Sequence, residues 1–520
     1  MNKTEKRNPI IYSDFPDPDI IRVGDTYYMA STTMHYMPGC DILRSYDLMN
    51  WEFVGHAYET LDDTPGHNLE GTAQIYGQGM WAPSFRFHNG TFYVNFTAND
   101  THKTYLLTAK DPAGPWEKRM IEGFYYDSSL FFDDDGRVYI VHGQKELYLT
   151  ELDPEVKGPL KGGLYRLIVR DEERINLGYE GSHLYKKDGR YYLFTCHMLN
   201  YGNAWKSEDC FIADSLMGEF RGKCIIDDDM GYHRLGVAQG GMVDTPEGDW
   251  YAFMFQDRGA LGRAPVLMPM HFDEEGFPVI GTDGKVPDTV SVAGTRKEHQ
   301  YEPLNGDDDF VYTSDEEGRV HLKPFWQFNH NPVKELWSVT ERNGAYRIRS
   351  GKICSSLVYG YNTLTQRTFG PKSEAWVTVD GKNLKDGDYA GISAFMGCYG
   401  AVALTREKGK HFLVMLGKPA QNSTVFGDSD YLEAATEYDR IEIETDQIIL
   451  KVHTDFSDML DEASFSYFFN GKWEDIGIRQ KQYFKMDHFT GCRFGLFLFS
   501  TEQTGGYADF MKFRYRCAEW

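Results

Sequence analysis

The stretch from Gly178 to Thr195, GYEGSHLYKKDGRYYLFT, reads as one β-hairpin. A strand opens near Glu180, the chain turns at Lys187-Asp188-Gly189, and a return strand carries Tyr191, Tyr192 and Phe194. Asp-Gly between two β-prone runs is a strong hairpin signal, because glycine supplies the positive φ that the turn needs. The same phrase recurs as WAPSFRFHNGTFYVNF from Trp81, DSSLFFDDDGRVYIV from Asp127 and QGGMVDTPEGDWYAFMF from Gln239. In these copies the opening residue stands nine positions before the turn glycine (90−81, 136−127, 189−180, 248−239). A shorter copy, DPDIIRVGDTYYMAST, opens at Asp17.

Five such hairpins are a repeat, and the repeat sets the fold. An aromatic recurs after each turn at Tyr28, Tyr93, Tyr139, Tyr192 and Tyr251, at intervals of 65, 46, 53 and 59 residues. That spacing holds a four-stranded blade with variable loops and predicts a five-bladed β-propeller. A β-sandwich has no reason to repeat one hairpin five times. The innermost strand of each propeller blade runs beside the central axis, so the strand starts gather at one mouth of the channel. Those starts are Asp17, Trp81, Asp127, Glu180 and Gln239, which brings three carboxylates and an indole together from distant points in the chain.

At 520 residues the chain is too long for one ordinary core, so two domains are expected. After Pro278-Val279 the repeat stops and polar runs follow, which places a propeller at residues 1–300 and a second domain at 301–520. Strands resume there around 375–379, 400–405, 440–452, 464–469, 493–499 and 507–515. Many alternate apolar and polar, as in RIEIETDQIILKVH, the pattern of an antiparallel sandwich whose sheets are solvated on one face. Helical periodicity is nearly absent, so the whole chain reads as all-β. No clustered exposed aromatics stand out in the second domain, which reads as a structural partner burying one flank of the propeller.

The formal charge of −24 argues against nucleic acid and anionic membrane surfaces as partners. The first residues, MNKTEKRNPIIYSDF, contain no apolar core of a signal peptide, and no segment approaches a membrane span; as given, the chain reads as cytoplasmic. Eight scattered cysteines without C-x-x-C spacing read as reduced thiols, mostly buried. There is no G-x-S-x-G elbow, Walker loop or H-E-x-x-H, and Cys196-His197 at the end of a blade strand reads as core.

Three acids at one mouth admit four readings: metal ligands, a sugar-binding lectin site, caps of strand starts, or a glycosidase. Asp133-Asp134-Asp135-Gly136 lacks calcium-loop spacing and is explained as a hairpin turn. Glycoside hydrolysis needs one carboxyl held protonated and another ionised on opposite sides of the scissile bond. A third carboxylate beside the acid would keep it protonated near neutrality by like-charge repulsion. The glycosidase reading gives each acid a separate role.

Residues 8–24, NPIIYSDFPDPDIIRVG, the segment MPG…SYDLMNWEFVGHA, WAPSFRFHNGTFYV, YDSSLFFDDDGRVYI and YEGSHLYKKDGRYYL together resemble glycoside hydrolase family 43. This is a family of five-bladed propellers that includes β-xylosidases, α-L-arabinofuranosidases and arabinanases. FWQFNHNP at Phe325, NTLTQRTFGP at Asn362 and DGDYAGI at Asp386 resemble its appended concanavalin-like sandwich. The resemblance implies an inverting mechanism with Asp17 as general base, Glu180 as general acid and Asp127 as the residue that orients the acid and raises its pKa. It implies that Arg263, in LGRAP, lies near that cluster and that Trp81 and Tyr36 contact the sugar ring. No cofactor is implied for the chemistry. A hydrated calcium is implied in the channel, where many members carry a histidine and this chain has Gln239, which offers a carbonyl oxygen but no imidazole nitrogen. The sandwich resembles that of the exo-acting members. The expected substrate is therefore a small arabinoxylan-derived oligosaccharide losing α-L-arabinofuranosyl groups, with β-1,4-xylosidase activity as the alternative and a non-catalytic sugar-binding propeller as the non-enzyme alternative.

Overall fold

The computed structural model describes residues 5–172, 177–198, 204–418 and 433–518. It is all-β among those residues, with only short 3₁₀ turns besides strands. Five four-stranded antiparallel sheets form the propeller. Their inner hairpins are Asp19–Val23 with Thr26–Ser31, Met80–His88 with Thr91–Ala98, Ser129–Phe132 with Val138–His142, Leu177–Lys187 with Arg190–Met198, and Val237–Asp244 with Trp250–Asp257. The turn of the fourth hairpin has φ of 52° at Asp188 and 81° at Gly189, the doubly left-handed form that an Asp-Gly pair favours. Strand Glu5–Arg7 pairs with Thr289–Ser291, and Arg22 of the first blade bonds Asp244 of the fifth at 3.0 Å, which closes the ring.

The inner strands are locked around the axis by one buried ionic network. Asp19 accepts from Arg86 Nη1 at 2.6 Å and from the Phe85 amide at 2.7 Å, and lies 3.3 Å from His183 Nδ1. Arg86 also donates to Ser129 Oγ at 2.7 Å, so four blades share the network. Burial works to raise the Asp19 pKa, but Arg86 and His183 outweigh it and the net shift is downward. A pair of this kind fixes register more than it adds stability, because its desolvation offsets its Coulomb gain.

Every blade kinks where its inner strand begins. The backbone is left-handed at Asp17 (φ 50°), Ala82 (38°), Asp127 (44°), Gly181 (66°) and Gln239 (58°). For a residue with a Cβ this conformation costs about 1–3 kcal/mol, and it persists where surrounding structure enforces it, most often at functional sites. The kink lies on the opening residue itself in the first, third and fifth blades. In the second and fourth it lies one residue later, so Trp81 and Glu180 precede the kink. Register shifts occur between Trp81 and Ser84 and between Glu180 and His183, and also between Ala238 and Gly241 in the fifth blade, where the kink lies on the opening residue. The even nine-residue spacing of the sequence therefore conceals two different backbone positions.

The second domain is a sandwich of two large sheets. Its core includes Trp326, Tyr346, Phe465, Phe494, Phe510 and Phe513. The run 440–452, expected as one strand, is two: Thr436–Ile443 lies in one sheet and Gln447–Asp455 in the other, with the polar residues Glu444-Thr445-Asp446 at the crossing. The outer face also departs from expectation, because strand pairing brings distant aromatics together. Trp473 packs against Phe468 (5.3 Å) and Trp376 (6.3 Å), with Lys451 4.3 Å over its ring. The two domains share a sheet: Tyr36–Met37, from a first-blade loop, pairs with Gln327–Asn329 of the sandwich. Arg367 adds a buried 2.6 Å ion pair to Asp41 of the first blade.

Candidate active site

Asp17, Asp127 and Glu180 come together closely enough to act on one another: Glu180 and Asp17 both act on Asp127, and Asp17 acts on Glu180. All three are buried, with 6%, 5% and 8% of their surface exposed. Asp17 forms an ion pair with Arg263, whose Nη1 lies 3.0 Å from Oδ1 and 3.3 Å from Oδ2. Glu180 is pushed up to about 7, first by burial and then by the charge of Asp17. Donors from Gln144 and Tyr126, and the charge of Lys206, work the other way. Asp127 is raised well above the carboxylate range by burial, by Glu180 and by Asp17, with Arg263 opposing. The field on the acid thus differs from the expectation: burial leads, and the first carboxylate acting on Glu180 is Asp17. A carboxyl that stays protonated near neutrality beside one ion-paired to an arginine is an acid–base pair set apart by environment.

Trp81, partly exposed, forms a wall, with Tyr126 at 6.3 Å between ring centroids and Phe489 at 5.3 Å. Phe489 comes from the sandwich and also lies 4.4 Å from the Arg263 guanidinium, whose Nη2 donates to the Phe489 carbonyl at 3.4 Å. Asp14 holds this loop in place by accepting from the amides of Arg263 and Gly491, each at 2.8 Å. Around the mouth, Trp81 Nε1, Asp127 Oδ1, Ser182 Oγ and Arg263 Nε are buried without a hydrogen-bond partner among the described residues. Buried polar atoms are rarely left so, and donors and acceptors set around a cluster of acids suit the hydroxyls of a sugar.

Two expected residues lie elsewhere or do other work. Tyr36 is wholly buried in the strand that joins the sandwich sheet, with Arg493 3.6 Å over its ring, so it offers no face to a sugar. Gln239 is buried: its backbone N–H donates to Glu208 Oε2 at 2.7 Å, and its side-chain oxygen faces the Cys196 thiol at 3.8 Å. Among the described residues no three His, Cys, Asp or Glu side chains form a metal-binding group. Tyr126 and Asp14 stand inside the quoted stretches YDSSLFFDDDGRVYI and NPIIYSDFPDPDIIRVG but were given no role from sequence, while Gln144 and Phe489 lie in no motif.

The profile of glycosyl hydrolases family 43 matches residues 6–278, more than half of the chain. The chain belongs to that family. A second profile, the β-xylosidase C-terminal concanavalin A-like domain, matches residues 316–516. Relatives within family 43 are named for two activities. A β-xylosidase of Formosa agariphila is 26% identical over 98% of this chain and 90% of its own length. A non-reducing end α-L-arabinofuranosidase of Bacteroides ovatus is 31% identical over 67% of this chain and 65% of its own. Among solved structures, a bifunctional GH43-CE protein of Bacteroides eggerthii superposes with a TM-score of 0.90 at 36% identity, covering 100% of this chain. The present chain spans 64% of that longer protein. A family-43 protein of Bacillus licheniformis shares the fold, with a TM-score of 0.81 at 24% identity over 99% of this chain.

Proposed function

We propose that this family-43 glycoside hydrolase is an inverting exo-enzyme that removes terminal α-L-arabinofuranosyl groups from small arabinoxylan-derived oligosaccharides. The observation that carries the reading is the acid cluster: Glu180 held up at about 7 in the same buried site as Asp17 ion-paired to Arg263. In this scheme Asp17 takes a proton from water as the water oxygen bonds to the anomeric carbon. Glu180 gives its proton to the glycosidic oxygen, whose bond to that carbon breaks, and the freed sugar has inverted configuration. Asp127 shares the proton equilibrium of Glu180 and orients it.

Exo action draws on the sandwich domain, whose Phe489 packs 5.3 Å from Trp81 and so brings that domain to the edge of the acid cluster. The arabinofuranosidase reading draws on the Bacteroides ovatus relative. β-Xylosidase action is the second reading, favoured by the Formosa agariphila relative, which aligns over nearly the whole chain. The deciding experiment is a panel of aryl arabinofuranosides, aryl xylosides and branched arabinoxylo-oligosaccharides, with the anomer of the first-formed product read by NMR. Release of inverted arabinose from terminal branches is expected. Xylose released in preference would select the second reading, and retained configuration would overturn the mechanism.

A further inference from the structure

Two donors from the third blade converge on one oxygen of Glu180. Gln144 Nε2 lies 2.8 Å and Tyr126 Oη 3.3 Å from Oε2, while Oε1 has no hydrogen bond among the described residues. Gln144 belongs to the loop between Val138–His142 and Glu146–Leu152 and is itself exposed at the rim, with its amide turned inward. The loop is stitched on both sides. The Gly143 amide donates to the Tyr126 carbonyl at 3.0 Å, and the Lys145 amide donates to the Tyr179 carbonyl, next to Glu180, at 2.7 Å. Gly143 has φ of 123°, and a Cβ there would meet the Glu146 carbonyl oxygen at 2.2 Å, so only glycine permits this turn.

Resting on the reading of Glu180 as general acid, we propose that Gln144 and Tyr126 are positioning residues that fix Oε2 as the accepting oxygen, so that the proton delivered to the leaving group is carried on Oε1. In a carboxylic acid the carbonyl oxygen accepts and the hydroxyl oxygen donates, so an oxygen already receiving two hydrogen bonds is a poor seat for the proton. Tyr126 is a fit donor: burial first, then the nearby Asp127 and Glu180 carboxylates, push its own pKa upward and keep it a phenol. When Glu180 gives its proton to the glycosidic oxygen, the Oε1–H bond breaks, an O–H bond forms on the departing sugar, and negative charge grows on the carboxylate. The same two donors then stabilise that charge without reorganising. The other groups acting on this site are Asp17, Asp127, Lys206, Arg263 and the Cys196 thiol. None of them donates to Oε2 among the described residues.

The test uses Gln144→Leu and Tyr126→Phe, assayed on aryl glycosides with good and poor leaving groups across pH, beside Glu180→Gln. Gln144→Leu is expected to move the basic limb of kcat/KM upward by about 0.5–1 pH unit, because a bond to the ionised form is lost. It should lower kcat about 10-fold or more on the poor leaving group and much less on the good one. Tyr126→Phe, nearly isosteric, should move both readouts the same way by less, and it carries the test if the leucine variant does not fold. An unmoved or lowered basic limb, or equal losses on both leaving groups, would overturn the positioning role. A basic limb that survives in Glu180→Gln would instead overturn the assignment of Glu180 itself.

Discussion

The acid cluster at the propeller mouth and the histidine cluster at the seam with the sandwich are both built from titratable side chains taken out of water. At the seam, His35 lies 5.0 Å from His330 and 4.9 Å from His488, ring to ring, and all three are wholly or almost wholly buried. Burial first, and then neighbouring imidazoles (His488 and His330 on His35, His67 and His488 on His330), push both well below the usual imidazole value; burial and Arg493 bring His488 down to about 3. Burial pushes the acids up and the imidazoles down, and both clusters hold neutral groups near pH 7. What separates them is access and asymmetry. Asp17 and Asp127 stand on left-handed backbone, the cluster is flanked by partly exposed Trp81 and Tyr126 and by exposed Gln144, and one acid is ion-paired while another is protonated. The histidines are sealed in and all shifted the same way: both ring nitrogens of His35 lack a partner among the described residues, His330 Nε2 accepts from the Ile75 amide at 3.0 Å, and His488 Nε2 lies 3.4 Å from Tyr36 Oη. A shifted pKa marks a reactive site only where a ligand can reach it and the shifts differ between neighbours.

The sharpest way to break this comparison is to strike one member of each cluster. Asp17→Asn should lower turnover by about 10²–10⁴-fold with the fold intact by circular dichroism, while His35→Phe should leave turnover within a few-fold. Comparable losses would erase the distinction.

A smaller effect concerns stability around Glu180. The unfolded chain ionises this carboxyl above its ordinary value of 4.5, but the folded chain holds the proton until about 7, so stability is lost as pH rises between those values. Glu180→Gln should therefore be more stable than the parent by about 1–3 kcal/mol at pH 8, with the gain absent at pH 4, read by thermal unfolding at both. A gain of equal size at both pH values would mean that ionisation is not its cause.

The smallest effect is expected at the seam, with the opposite sign. Unfolded His35 takes a proton below about 6.5 while the folded form refuses it, so stability falls as pH drops through that value. His35→Phe should flatten this decline by up to about 2 kcal/mol between pH 7 and 5, measured by denaturant unfolding. An unchanged slope would show that the cluster takes up its proton elsewhere.

How much of this was legible in the chain depended on distance along it. The inner hairpins were readable because Asn89-Gly90 and Asp188-Gly189 write the turn locally. The convergence of Asp17, Asp127 and Glu180 followed from blade geometry. The one-residue offset at Trp81 and Glu180 did not, because which of two neighbouring residues takes the left-handed conformation leaves no mark on the spacing of the repeat. Phe489 was hidden because its contact with Trp81 joins the two ends of the chain. Gln144 was hidden because a glutamine in a loop has no periodicity to betray it. Tyr36 was misplaced because a buried interface aromatic and a sugar-stacking aromatic look the same in sequence.

The strand Tyr36–Met37 pairs with Gln327–Asn329 and so makes the sandwich sheet partly the property of the propeller. Between Ser291 and Gln327 the chain runs through many exposed residues, the natural place for a protease to cut. A single nick there would sever the covalent link but leave the shared sheet, the Arg367–Asp41 pair and the Phe489 loop untouched. The cleaved protein should therefore migrate as one species without denaturant and as two fragments with it, and the fragments, once parted, would have to complement each other to restore the pocket.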